Sequence, residues 1–186
     1  MKILTALNEG QDKLKKNDIK SSMLDSEILI SEALKKDRKF VILNPAKEIE
    51  ESEYLNFKNL INKRSKGKPM AQIIGKKSFW KYEFLINENV LIPRPDTEVV
   101  VEQVLKIYKN KEYVNFLDIG VGSGCILLTI LNEKKNFYGT GIDLSSESLK
   151  ICALNACKLG IKNRYKLFKS DIDNFSYGKY DLIISN

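Results

Sequence analysis

The chain has 186 residues, 43% of them hydrophobic, with 31 basic and 24 acidic side chains and a formal charge of +7. This is enough apolar content for one ordinary domain plus a small one, and too much for a disordered tail. With no histidine, and three cysteines that lack CxxC spacing, histidine-based nucleophilic catalysis and a cysteine–histidine zinc site are excluded, so chemistry must rest on a cofactor, carboxylates or amides.

No apolar run approaches the ~20 residues of a membrane helix, and Met1-Lys2-Ile3-Leu4-Thr5 lacks a signal-peptide core. A cytoplasmic protein is expected. The positive charge is spread thinly. Its one local cluster, Lys63-Arg64-Ser65-Lys66-Gly67-Lys68, reads as a solvated helix end, so direct nucleic-acid binding is not expected.

Residues 1–70 show helical spacing with polar joints. Ile3, Leu7 and Leu14 share one face, Leu24, Ile28 and Leu34 a second, and Tyr54, Phe57, Leu60 and Ile61 a third. Ser21 or Ser22 is placed to cap the second helix, and Pro45 and Pro69 mark helix limits. From Ala71 the pattern changes to short strands, Gln72-Ile73-Ile74-Gly75 and then Ser78 through Ile86, rich in aromatic and β-branched residues. These are expected to form a β-hairpin. In Leu91-Ile92-Pro93-Arg94-Pro95-Asp96-Thr97-Glu98 the prolines force an extended path, and Asp96 or Thr97 is placed to cap a helix over 97–109.

Beyond 114, strands and helices alternate: strand 114–119, helix 123–133, strand 137–142, helix 146–159, strand 164–169 and strand 180–185. Such alternation implies right-handed crossovers and a parallel sheet with helices on both faces. Cys125, Cys152 and Cys157 fall within the helical patterns and are expected as buried, reduced thiols.

Gly120, Gly122 and Gly124 lie between the first of these strands and its helix. A turn without side chains lets a ligand approach the backbone and the free amides of the helix start, although a tight packing turn has the same look. The next strand ends in Asp143, 19 residues after Gly124, where a carboxylate meets ribose hydroxyls; its alternative is a helix cap. Asp171 and Ile172 follow the third strand. They fit an adenine contact or a plain surface turn. A nicotinamide dinucleotide would use the same glycine turn and acid, so these residues leave hydride and methyl transfer both open.

The wider set of motifs resembles the methyltransferases that modify a glutamine side-chain amide in peptide chain release factors. The matching stretches are Gly67-Lys68-Pro69-Met70-Ala71, Gly75 with Phe79-Trp80 and Phe84, Leu91 through Glu98, Asp118 through Gly124, Gly141-Ile142-Asp143-Leu144-Ser145, and Asp181-Leu182-Ile183-Ile184-Ser185-Asn186. Leu91 through Glu98 is the most specific of them. The resemblance implies an α/β fold: an N-terminal helical bundle over 1–70 that recognises substrate, a β-hairpin linker over 71–95, and over 96–186 the first half of a Rossmann-like class I methyltransferase sheet. It implies S-adenosyl-L-methionine as cofactor, held by Gly120, Val121, Gly122, Ser123, Gly124, Asp143, Leu144, Asp171, Ile172 and Asn186. It makes Asn186 the catalytic and substrate-binding residue, the first of an Asn-Pro-Pro-Tyr motif whose carbonyl accepts from the substrate amide. The implied partner is a release factor, with no membrane and a monomeric full-length protein. Gln72 stands where the family usually has tyrosine, and no Pro-Pro-Tyr follows Asn186. The expected reading is therefore an N-terminal portion of a protein-glutamine N5-methyltransferase, inactive by itself. A methyltransferase acting on a ribosomal protein or a nucleic-acid amino group, or a non-catalytic cofactor- or protein-binding module, is the alternative.

Overall fold

A computed structural model describes residues 1–186, divided into two units, Met1–Ile74 and Gly75–Asn186. The first unit contains α1 (Ile3–Lys15), α2 (Ser22–Leu34), α3 (Arg38–Leu43), α4 (Glu51–Ser65) and α5 (Met70–Ile74). Its core is formed by Ile3, Ala6, Leu14, Leu29, Ile30, Val41, Phe57 and Ile61 with their neighbours. The expected faces of the first and third helices hold; that of the second holds only in part, with Leu34 buried and Ile28 half-buried. Leu24 is exposed, while Ser22, Asp25, Ser26, Leu29 and Ala33 are buried. The reason is an ion pair: Arg64 Nε of α4 donates to Asp25 Oδ2 at 2.7 Å, both side chains being largely buried. This pair turns the polar stripe of α2 inward, and a second guanidinium nitrogen, Arg64 Nη1, donates to the Lys68 carbonyl. Ser21 does not cap a backbone amide; its hydroxyl donates to the same Asp25 carboxylate.

Residues 72–74, expected as strand, are helical. α4 ends at Ser65, with Gly67 at a left-handed φ of 84° beyond it, and the Pro69 carbonyl accepts from the amides of Gln72 and Ile73, so a new turn of helix starts there. Met70 and Ile73, three apart, then share a face against the bundle core. Tertiary burial outweighs the strand preference of the Ile73-Ile74 pair.

In the second unit the hairpin comprises β1 (Lys76–Phe79) and β2 (Tyr82–Leu85), paired antiparallel, so its turn falls at Trp80-Lys81 rather than between Gly75 and Ser78. Trp80 has a left-handed φ of 57°, and its amide donates to Glu98 Oε1 at 2.7 Å. A 3-10 turn over Pro95–Thr97 leads into α6 (Glu98–Ile107), followed by β3 (Asn115–Ile119), α7 (Cys125–Glu133), β4 (Tyr138–Asp143), α8 (Ser146–Lys158), β5 (Tyr165–Lys169) and β6 (Leu182–Ser185). The α6 helix start is not capped by Thr97.

The four strands β3 to β6 are parallel, in the order β5-β4-β3-β6. The sequence expectation of helices on both faces is not met. The core shared by α6, α7 and α8 takes in Phe116, Tyr165, Leu167, Leu182 and Ile184, from one face of the sheet. Topology explains this. The steps β3 to β4 and β4 to β5 run in the same direction across the sheet, so right-handed crossovers put both connecting helices on the same side. Only the return from β5 to β6, past β3, crosses the other face, and that connection holds no helix. There Phe168 of β5 meets the rings of Phe175 and Tyr177. At the β6 edge, Ile184 is buried while Ile183 is 59% exposed.

Candidate functional site

The chain runs outward from β3 to β4 and β5, then returns to the other side of β3 as β6. A parallel sheet with such a reversal has a crevice at the C-terminal ends of its strands, where open α/β folds bind ligands. The glycine turn follows β3, Asp143 ends β4, Asp171 and Ile172 follow β5, and Asn186 follows β6. Residues spread over 67 positions of sequence thus line one edge of the sheet.

The turn is held from two sides. Asp143 Oδ2 accepts from the Gly122 amide at 2.9 Å and Oδ1 from the Ser145 amide at 2.8 Å. The cap of α8 is a separate group: Ser145 Oγ accepts from the Ser148 amide. Asp143 is therefore not the helix cap. Each of its oxygens has a further lone pair for a donor from a ligand. Within the turn, Gly120, Gly122 and Gly124 all have positive φ. Val121 and Ser123 turn their side chains inward, at 4% and 2% exposure, so they can offer a ligand only backbone. Leu144 and Ile172 project outward at 69% and 49% exposure, two apolar side chains at the ends of neighbouring strands. The Asp171 carboxylate accepts from the backbone and side-chain nitrogens of Asn174, which makes it a turn-forming acid with part of its acceptor capacity already used.

Two glycines of the turn differ in their surroundings. A Cβ on Gly124 would lie 2.6 Å from Cys152 Sγ and 2.8 Å from Leu128 Cδ1, whereas one on Gly120 would meet nothing within 4 Å. Both have left-handed φ, for which alanine costs about 1–2 kcal/mol. Gly124→Ala adds overpacking, typically ~1–3 kcal/mol more. Denaturant unfolding should therefore rank Gly124→Ala clearly below Gly120→Ala in stability, and equal losses would count against this packing.

Three residues at the site escape sequence reasoning. Thr97 lies 89 positions before Asn186 in sequence, yet its Oγ1 accepts from Asn186 Nδ2 at 2.7 Å. Asn155 of α8 is fully buried; its Oδ1 accepts from the Leu85 amide, and its Nδ2 donates to the carbonyls of Leu85 and Ser123. One carboxamide therefore fastens the hairpin and the glycine turn to the same helix. Asp118, buried at 2% exposure, accepts from the Leu127 amide at 3.2 Å. Burial pushes its carboxyl up to about 7, with the negative charge of Asp143 adding to the shift and the single amide donor opposing it. The asparagine and threonine looked like ordinary helix and cap residues; only their partners mark them.

The cysteines are split. Cys152 is buried and Cys125 partly so, with burial pushing the Cys125 thiol up to about 12 and that of Cys152 up as well. These two are unreactive packing thiols. Cys157 is exposed, contrary to the sequence expectation, because it lies on the outer side of α8, away from the sheet. A cleft of about 480 Å³ lined by Tyr113, Tyr138, Tyr165 and Lys166 among others lies at the N-terminal ends of the strands, away from the glycine turn.

Comparison with known proteins agrees with this arrangement. Residues 5–75 match the model of the PrmC N-terminal domain, and residues 110–186 match a methyltransferase domain. The chain is 34% identical over 185 residues to a release factor glutamine methyltransferase of Caulobacter vibrioides and 38% identical over 188 residues to one of Leptospira interrogans, alignments covering 99% of this chain. It belongs to the release factor glutamine methyltransferase family. The chain spans 64% and 66% of the length of those two relatives. An RNA methyltransferase structure from Salinibacter ruber is also similar, at 20% identity and a TM-score of 0.44 over 50% of this chain and 60% of that one, a likeness too slight to carry an argument. Within the family frame, the helical unit and the glycine-turn sheet correspond to the two matched regions, and no helix is long and apolar enough to cross a membrane.

Proposed function

We propose that these residues supply the cofactor site and the acceptor-holding asparagine of an S-adenosylmethionine-dependent protein-glutamine N5-methyltransferase that acts on a peptide chain release factor in the cytoplasm. The observation that carries this reading is the convergence of the glycine turn, the Asp143 carboxylate and Asn186 at one edge of the sheet. The residues suit the cofactor chemically. Asp143 offers charged acceptors to ribose hydroxyls, the turn exposes backbone where a ligand can approach closely, and Leu144 and Ile172 offer apolar surface to a purine. When bound, S-adenosylmethionine supplies a sulfonium methyl group.

The remaining work falls to positioning. Asn186 donates its Nδ2 to Thr97, which fixes the carboxamide so that Oδ1 is the end left to accept. A carbonyl held in this way accepts a hydrogen from a glutamine side-chain amide and orients its nitrogen, a weak nucleophile, toward the methyl group. With the cofactor bound, its S–CH3 bond would break as the nitrogen takes the methyl, leaving a neutral thioether, and the nitrogen would release one proton to solvent. No strong base is required, in keeping with a chain without histidine. The domain roles follow the same reading: residues 1–70 recognise the protein acceptor, 71–95 form the linking hairpin, and 96–186 bind the cofactor.

Calorimetric titration with S-adenosylmethionine tests the cofactor assignment. Asp143→Ala should weaken binding by about 1–3 kcal/mol, since a charged acceptor is lost. Equal affinity in the Asp143 variant would remove the carboxylate from the site. Methyl incorporation from labelled cofactor into release factor, ribosomes and DNA, measured side by side, tests the acceptor; label in ribosomes or DNA alone would overturn the release-factor assignment.

A further inference from the structure

Between α1, α2 and α3 of the helical unit lies a cleft of about 200 Å³, smaller than the ~300–1,000 Å³ of a small-molecule site. Its apolar lining is Leu4, Leu7, Met23, Val41, Ile42 and Pro45. Leu4, Met23 and Ile42 are 52%, 61% and 50% exposed. Single exposed apolar side chains are ordinary, but a contiguous set around a depression with a polar rim marks a contact surface. A second observation points the same way. Ser26 lines the cleft, is 1% exposed, and its Oγ has no hydrogen-bond partner, a costly condition that a partner's polar group would relieve.

The rim supplies charge. The cleft continues, through Gln11, Met23 and Glu27, onto a shelf that carries Lys15, Lys20 and Arg38. Glu27 is paired with Arg38 at 2.6 Å, so the one carboxylate in the lining is neutralised. Lys15 and Lys20 are exposed and unpaired. An apolar trough with a basic margin complements a segment whose apolar face is bordered by carboxylates.

We propose that this trough docks an acidic amphipathic segment of the protein acceptor, with an apolar side chain in the cleft, a polar group on Ser26 Oγ and carboxylates facing Lys15, Lys20 and Arg38. It names the surface behind the recognition role given above to residues 1–70, and it rests on that role.

The test titrates the 186-residue chain into a fluorescein-labelled helical peptide with leucines on one face and glutamates along its margin, and into the same peptide with lysines for glutamates, read by anisotropy. The glutamate peptide should bind, increasingly weakly as salt rises, and the lysine peptide should not. Ile42→Glu should lower the affinity about tenfold or more, as expected for loss of a central apolar contact. Lys15→Glu/Lys20→Glu should weaken the glutamate peptide and improve the lysine peptide, a reversal that misfolding cannot produce; circular dichroism melting checks that each variant is folded. Equal binding of both peptides, binding of neither, or unchanged affinity in the folded variants would overturn the proposal. Purified release factor separates it from the function above. Release factor that binds wild type and trough variants equally refutes the trough and leaves the recognition role standing. Failure of release factor to bind a chain that still discriminates the two peptides supports the trough and removes the release factor as acceptor.

Discussion

Asn155→Leu should destabilise the protein by about 3 kcal/mol or more, the largest loss expected from one side chain near the site. The residue is 0% exposed and its carboxamide makes three hydrogen bonds, to the Leu85 amide at 2.6 Å and to the Leu85 and Ser123 carbonyls at 3.1 and 2.9 Å. Leucine keeps the branched shape and heavy-atom count, though it is bulkier, and leaves the Leu85 amide and two carbonyls without these partners; each orphaned buried group costs roughly 1–3 kcal/mol. The carboxamide gives Leu85 an acceptor and a donor together, as a neighbouring strand would. Loss should therefore free the hairpin at β2 and loosen the glycine turn at Ser123. Denaturant unfolding gives the stability change, and hydrogen exchange at Leu85 locates it. A variant within about 0.5 kcal/mol of wild type, the range of ordinary surface changes, would show that the three bonds contribute little.

The second large effect depends on pH. The Asp118 carboxyl, ordinarily titrating at 3.8, is raised to about 7 by its burial. Between these values the folded chain holds a proton at Asp118 that the unfolded chain has released, so stability from this group is full below the lower value and falls as pH rises to the upper one. The loss is on the order of a few kcal/mol. Asp118→Asn keeps an oxygen to accept from the Leu127 amide but does not titrate. Its melting temperature should match wild type near pH 4 and exceed it at pH 8, with the difference growing across that interval. Parallel melting curves over the whole interval would mean that Asp118 keeps an ordinary carboxylate pKa. At neutral pH this acid sits beneath the proposed cofactor turn partly protonated, so the pH at which cofactor binding is measured belongs with any affinity.

Local pattern carried the second unit far. Strands at 115–119, 138–143, 165–169 and 182–185 fall within two residues of their expected limits, because each is an apolar run bounded by turn residues and separated by helical spacing. The glycine turn and Asp143 were legible for the same reason: their chemistry depends on distance along the chain, and a strand–turn–helix followed by a strand fixes where those residues lie. Three features depended on partners that are distant in sequence. Residues 72–74 became helix, against their β-branched preference, because Met70 and Ile73 found a core to cover. The inward face of α2 is set by an arginine on another helix. The placement of α7 and α8 on one face follows from strand order, which no local window contains. At the site, Asp143 announced itself by spacing. Thr97 and Asn155 did not, since a threonine in a turn and an asparagine in a helix acquire meaning only from what they touch. Sequence by itself determined which elements form and which chemistry they can offer, because short-range sterics and apolar periodicity decide both; only the tertiary structure decided which face is buried, which amides are paired and which hydroxyl holds Asn186, because burial and hydrogen bonding are settled between segments far apart in the chain.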